Sequence, residues 1–140
     1  ISNDWRLREG KKFTIAPAYN KGGYQVISSE NIKDIGSGSI IMAHTKILNN
    51  SKIGKYCLIG TDVNILHDVQ IGNNCVIGGS SCIGANTKIE NNVLVGVGSV
   101  FSSNKKTVGA GTIVCSGSVV HKDVKKNSKV IGNPFKYLPK

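Results

Sequence analysis

The chain has 140 residues, 39% of them hydrophobic and 19% charged, the composition of a globular domain with its own core rather than of a disordered tail. Eighteen Lys and Arg against eight Asp and Glu give a net charge of +10, which attracts anionic partners without choosing among a phosphorylated cofactor, nucleic acid and a membrane surface. Seventeen glycines beside only 6% aromatic residues exclude a helix bundle, and no apolar run reaches membrane-spanning length.

The chain opens on Ile rather than Met, as a piece of a longer protein would. No signal-peptide pattern precedes the first motifs, so a cytoplasmic location is expected. Residues 1–34 read as a short N-terminal extension. Within it, Phe13 to Ala16 and Tyr24 to Ser28 flank the turn signal Asn20-Lys21-Gly22-Gly23 and are expected to form a β-hairpin.

From Ile35 a six-residue period takes over. Every sixth position is aliphatic and β-branched, from Ile35, Ile41 and Ile47 through Ile89 to Val95. Four residues after each stands a small or β-branched residue, from Ser39, Thr45 and Ser51 to Ser99. Gly commonly follows the aliphatic, as at Gly54, Gly72 and Gly84, where the chain needs either a positive φ or a close backbone approach. A period of six fits neither an α-helix nor a plain alternating strand, but it suits short strands meeting at regular corners. The expected fold is all-β: a left-handed parallel β-helix with 18 residues per triangular coil, about five coils over residues 35–124, the aliphatic and the small residue both facing inward. Residues 18 apart then stack, as Asn73 and Asn91 do at a corner. The step from Val95 to Val108 is 13 residues instead of 12, so one residue must bulge out between Phe101 and Thr107. Residues 125–140 are rich in Lys, with Pro134 and Pro139, and read as a basic tail folding back on the last coil.

The period also sorts the side chains that could do chemistry. His67 lies two residues after Ile65, and His44 three after Ile41, so both fall near corners and outside the core. His44 reads as a solvated corner residue. His67 is followed by Asp68, and an imidazole with an acidic neighbour suits a general base working near neutral pH. Cys57 and Cys75 occupy the inward small position and fill the core; Cys82 and Cys115 lie on neither inward column. No CxxC spacing is present, so no metal is expected.

The segment Ile65-Leu66-His67-Asp68-Val69-Gln70-Ile71-Gly72 resembles the catalytic stretch of the sialic acid O-acetyltransferase and UDP-4-amino-sugar N-acetyltransferase family, within the hexapeptide-repeat transferases. The likeness extends to Val119-Val120-His121-Lys122-Asp123-Val124 and to Val130-Ile131-Gly132-Asn133-Pro134-Phe135-Lys136, where Phe135 replaces the family's small residue. This resemblance implies an acetyl-CoA-dependent acetyltransferase acting on an amino or hydroxyl group of a sugar in bacterial surface-glycan synthesis. It makes His67 the general base and Asp68 its support. It places acetyl-CoA contacts at Ala85, Val97 and Ser116, largely through backbone groups, with Pro134 bordering the adenine. Lys105 and Lys106 in the bulge, with Lys122, Lys125, Lys126 and Lys129, are candidates for the coenzyme's phosphates, against the plain reading of a solvated lysine face. It also implies a homotrimer with sites between subunits. Residues 1–34 lack the Gly-rich turn of the nucleotide-sugar-binding domain that precedes the coil in amino-sugar relatives, so the sequence leaves the acceptor open between a nucleotide-linked amino sugar and sialic acid. A three-histidine metal site shared between subunits, as in γ-class carbonic anhydrases, fails on spacing, since the three histidines lie 23 and 54 residues apart. Basic residues are not interleaved with aromatics, so neither nucleic acid nor membrane is expected as a partner. The alternative is a non-catalytic structural or partner-binding coil.

Overall fold

The computed structural model describes residues 14–15, 26–27 and 35–139. These residues build a left-handed β-helix whose three sheets are the faces of a triangular prism. The first sheet stacks Thr14–Ile15, Ile40–Ile41, Leu58–Ile59, Val76–Ile77, Leu94–Val95, Ile113–Val114, Lys129–Gly132 and Phe135–Tyr137. The second stacks Val26–Ile27, Lys46–Ile47, Asn64–Ile65, Cys82–Ile83, Val100–Phe101 and Val119–Val120. The third stacks Lys52–Ile53, Gln70–Ile71, Thr87–Ile89 and Lys106–Val108. Pairing is parallel throughout except between the last two strands, Lys129–Gly132 and Phe135–Tyr137.

Of the expected N-terminal hairpin only residues 14–15 and 26–27 are described, and these do not pair with each other. Thr14–Ile15 pairs with Ile40–Ile41 in the first sheet, and Val26–Ile27 pairs with Lys46–Ile47 in the second, both in parallel. The two segments thus begin the coil on different faces instead of pairing with each other. The Asn20–Gly23 turn lies outside the described residues.

Both inward columns are buried as the period requires. Ile41, Ile59, Ile65, Ile77 and Ile83 are fully enclosed, and so are Ser39, Thr45, Ser81 and Ser99. Hydroxyls are tolerated there because they reach corner carbonyls: Ser39 Oγ donates to Gly54 O at 2.7 Å and Thr45 Oγ1 to Gly60 O at 2.9 Å, both 15 residues ahead, and Ser99 Oγ to Gly96 O at 2.8 Å. Cys57 and Cys75 do the same to Gly72 O and Glu90 O. A buried donor so paired avoids the desolvation penalty of an orphan. The Cys57 thiol and burial together hold the Cys75 thiol well above its ordinary value, which keeps it an unreactive core residue.

The corners resolve the question of the glycines. Positive φ falls three residues after the aliphatic, at His44, Asn50, Tyr56, Asp62, Asp68, Asn74, Ser80, Asn86 and Asn92, where Asn and Asp tolerate the left-handed region best. The glycine directly after the aliphatic is needed for close approach instead. A Cβ on Gly84 would lie 2.2 Å from Phe101 O in the next coil. Asn73 and Asn91 stack as expected, Asn73 Oδ1 accepting from Lys55 N at 2.9 Å and Asn91 Oδ1 from Asn73 N at 2.8 Å.

The extra residue lies between Phe101 and Lys106, where the register lengthens from 18 to 19 (Cys82 pairs with Val100, then Val100 with Val119). As a result Lys106, not a small residue, enters the inward column opposite Thr87 and is 2% exposed. Its Nζ donates to Ser102 O, and to Asn104 O at 3.0 Å. Ser102 O is the carbonyl 15 residues ahead of Thr87, and Thr87 Oγ1 is left buried without a partner. Burial lowers the Lys106 pKa, an effect that Asp123 opposes.

A second slip follows. Val120 and Val124 are both buried only four residues apart, and the register shortens to 16, Val108 opposite Val124 and Ile113 opposite Lys129. The coil therefore runs past the expected boundary at 124 to Gly132, and only then folds back as the antiparallel Phe135–Tyr137 strand. Phe135 closes the core, its ring 5.4 Å from His121 and 5.7 Å from Tyr137. The outward row of the first sheet, Ile40, Leu58, Val76, Leu94 and Ile113, is an apolar ladder in register, each member 37–44% exposed.

Candidate functional site

His67 and Asp68 sit on the corner that leads from the second sheet to the third. In an extended strand, neighbouring side chains point to opposite faces. Here Asp68 takes φ 57°, the chain turns between the two residues, and both side chains emerge together. His67 Nδ1 lies 2.8 Å from Asp68 Oδ2, and both side chains are about half exposed (56% and 49%). With Nδ1–H donating to the carboxylate, the tautomer is fixed and Nε2 is left as an acceptor facing solvent. The backbone beneath is tied to its neighbours: Asp68 N donates to Asn49 O at 3.0 Å, and His67 O accepts from Asn86 N at 3.2 Å.

The other sequence-predicted residues divide between two corners and the closing turn. Ala85 lies one coil above His67, buried, its N–H donating to Ser103 Oγ of the bulge at 3.1 Å. Lys105 and Lys106 also belong to this corner. Lys105 is exposed. The Lys106 ammonium, expected to meet a coenzyme phosphate, is instead enclosed and bonded within the bulge. Asn104 anchors the same loop through Nδ2 to His121 O at 3.2 Å. Val97 and Ser116 are stacked on the corner that leads from the first sheet to the second, Val97 O accepting from Gly117 N at 2.9 Å, with Val97 59% exposed. The whole second sheet separates them from His67 within one chain. Pro134 is exposed in the closing turn, between Phe135 and a cis bond to Asn133. Beside it Lys122 lies 5.7 Å from the Phe135 ring and Lys125 5.8 Å from that of Tyr137.

The sequence reading missed the third sheet. A recess of about 440 Å³ opens against the dyad's own corner, lined by Asp68, Gln70, Asn86, Lys88, Lys105 and Thr107. A larger recess of about 750 Å³ continues from Gln70 and Lys88 across the sheet to Lys52, Lys55, Asn73 and Asn91. The signal was available, because Lys52, Gln70 and Lys88 stand 18 residues apart on the outward position of successive coils. Among the described residues no three His, Cys, Asp or Glu side chains are grouped as a metal site, and no helix is long and apolar enough to cross a membrane.

Residues 50–85 match the family described as bacterial transferase hexapeptide (six repeats). No curated protein matches the chain. Among solved structures, PerB from Caulobacter crescentus, in complex with CoA and GDP-perosamine, is 28% identical over 92% of this chain and 58% of its own, with a TM-score of 0.81. WeeI from Acinetobacter baumannii AYE is 30% identical over 75% of this chain and 51% of its own, TM-score 0.71. The acetyltransferase domain of PglB from Neisseria gonorrhoeae FA1090 is 25% identical over 90% and 57%, TM-score 0.80. The chain thus spans just over half the length of these relatives, and it carries the hexapeptide coil of the transferases it resembles.

Proposed function

We propose that the chain is an acetyl-CoA-dependent acetyltransferase that acylates an amino or hydroxyl group of a sugar, nucleotide-linked amino sugars being favoured over sialic acid, in bacterial surface-glycan synthesis. The observation that carries this reading is the His67–Asp68 pair, 2.8 Å apart on an exposed corner, on a coil whose neighbours include a sugar N-acetyltransferase solved with CoA and GDP-perosamine.

Asp68 holds the imidazole so that Nε2 faces the acceptor. As the acceptor nitrogen or oxygen attacks the thioester carbonyl, Nε2 takes its proton; the new C–N or C–O bond forms, the C–S bond breaks, and the departing sulfur recovers the proton from the imidazolium as the CoA thiol. No acyl-enzyme is required. The negative charge on the carbonyl oxygen needs a fixed N–H donor, a role that falls to a backbone N–H of a neighbouring coil; the Ala85 N–H is already bonded to Ser103 Oγ. Val97 and Ser116 supply backbone groups for the pantetheine arm, and Pro134 borders the adenine, with Lys122, Lys125, Lys126 and Lys129 near the coenzyme's phosphates.

The assembly proposed with this reading is a homotrimer, and the separation of the two corners within one chain supports a site shared between subunits. The Val97 and Ser116 corner of one copy then faces the His67 corner of the next, and the apolar ladder on the first sheet is surface of the kind that association covers. Acetyl-CoA titrated calorimetrically into the protein is expected to bind in the micromolar range with one site per chain, each site lying between two subunits. No heat of binding at millimolar coenzyme contradicts the reading.

A further inference from the structure

The bulge at the dyad's corner is built around a residue that the rest of the coil does not use. Two positions before each inward aliphatic or aromatic residue stands a small or β-branched one, as at Thr45, Ser51, Val63, Ser81, Thr87 and Ser99. Before Val108 that position is Lys106, buried and in register opposite Thr87. An ammonium has three N–H donors, and those of Lys106 meet three oxygens of one short loop: Ser102 O, Asn104 O at 3.0 Å and Asn104 Oδ1 at 3.1 Å. None of these acceptors belongs to the core. Among the described residues no carboxylate forms an ion pair with Lys106; Asp123 favours its charge, which burial opposes, while Asp123 Oδ1 accepts from Thr107 N at 2.7 Å.

This arrangement works against stability in two ways. A buried cation has lost its hydration. The hydroxyls of Ser39, Thr45 and Ser51 each reach the carbonyl 15 residues ahead, but the carbonyl in that place for Thr87 is Ser102 O, which already accepts from Lys106 Nζ and from Asn104 N. Both of its lone pairs are engaged, and Thr87 Oγ1 is left without a partner. A small residue at position 106 would remove both defects.

What the lysine provides is a fixed loop beside the reacting groups. Ser103 Oγ accepts from Ala85 N at 3.1 Å, one coil above His67, and Asn104 Nδ2 donates to His121 O at 3.2 Å. The recess of about 440 Å³ has Asp68, Gln70 and Asn86 on the side of the coil and Lys105 and Thr107 on the side of the bulge. Asn86 N in turn donates to His67 O at 3.2 Å. One wall of the space beside the dyad is therefore the bulge.

We propose that Lys106 is a positioning residue for the transfer reaction: its ammonium gathers Ser102 and Asn104 so that residues 102–105 stand as a fixed wall of the recess beside His67 and Asp68. It touches neither the acceptor nor the thioester and acts through the loop, lowering stability while preorganising the site. This rests on the acetyltransferase reading.

Lys106→Met, made in the full chain, keeps the length of the side chain in the column but offers the loop no donor. Lys106→Val, with the residue that the column carries at Val63, Val69 and Val93, is the second variant. Urea unfolding is expected at the same denaturant concentration as in the wild type or higher, since an apolar side chain replaces a buried cation. Trypsin, its products read by mass spectrometry, cuts after Lys105 roughly tenfold faster or more, because the loop opens locally. In the same variants kcat for acetyl transfer to a UDP- or GDP-linked 4-amino sugar falls roughly tenfold to a hundredfold, the effect of a small misplacement near the reacting groups. A loss of stability in both variants, or failure of both to fold, would make Lys106 a structural residue and overturn the inference. Unchanged kcat, or unchanged cleavage after Lys105, overturns it equally. A wild type that transfers no acetyl group is the separate failure of the acetyltransferase reading, and removes this inference with it.

Discussion

His67→Ala lowers the rate of acetyl transfer roughly 10²- to 10⁴-fold, the usual contribution of a positioned general base, while the fold and the acetyl-CoA affinity stay as they are. The reason lies in the local geometry. The imidazole is 56% exposed and, among the described residues, its side-chain partner is Asp68, so its removal empties no core space. What is lost is the acceptor for the proton released when the acceptor attacks the thioester. The comparison is of kcat for both proteins, with circular dichroism and the acetyl-CoA Kd as controls. A variant that keeps the full rate takes His67 out of the reaction.

Phe101→Ala costs about 3–5 kcal/mol of folding stability, as truncation of a buried aromatic generally does. Among the described residues Phe101 is the bulkiest of the fully buried side chains, 1% exposed, in a column otherwise made of Ile and Val. It is also the last inward residue before the bulge, and its carbonyl accepts from Gly84 N at 2.9 Å, so the cavity opens beneath the loop that carries Lys105. Urea unfolding of both proteins at equal concentration measures the difference. A loss below about 1 kcal/mol, typical of a substitution outside the core, would mean that the column does not pack there as described.

Most of the fold was legible because hexapeptide spacing is dense information. Ile or Val every sixth residue, with a small residue four later, fixes both the inward columns and the 18-residue register. The slip before Val108 was visible for the same reason. The side chain that fills the resulting gap was not, because a lysine in an inward column is readable only once Ser102 O and Asn104 O are seen to receive its ammonium. The second slip at Val120–Val124 was hidden, since a column that skips two residues looks like a column that has ended. Strand propensity around Ile15 and Ile27 marks strands, but it does not say which strands they join; Thr14–Ile15 and Val26–Ile27 pair with Ile40–Ile41 and Lys46–Ile47.

The site was legible in part. His67 and Asp68 stood out as a corner pair, and the left-handed φ of Asp68 explains why consecutive residues can meet. Val97 and Ser116 carry no distinctive side chain, and backbone contacts leave little trace in sequence. The lysine row on the third sheet escaped because attention to the inward columns leaves the outward positions unread, although the same period orders them.

Acetyl transfer from acetyl-CoA to a sugar is measured by the release of CoA thiol from acetyl-CoA, followed with a thiol reagent in the presence and absence of UDP- and GDP-linked 4-amino sugars. The expected result is acceptor-dependent release with one acetylated sugar formed per thiol. Acetyl-CoA binding without release under any acceptor would contradict it, and would leave the coil as a structural or partner-binding element with His67 an ordinary corner residue.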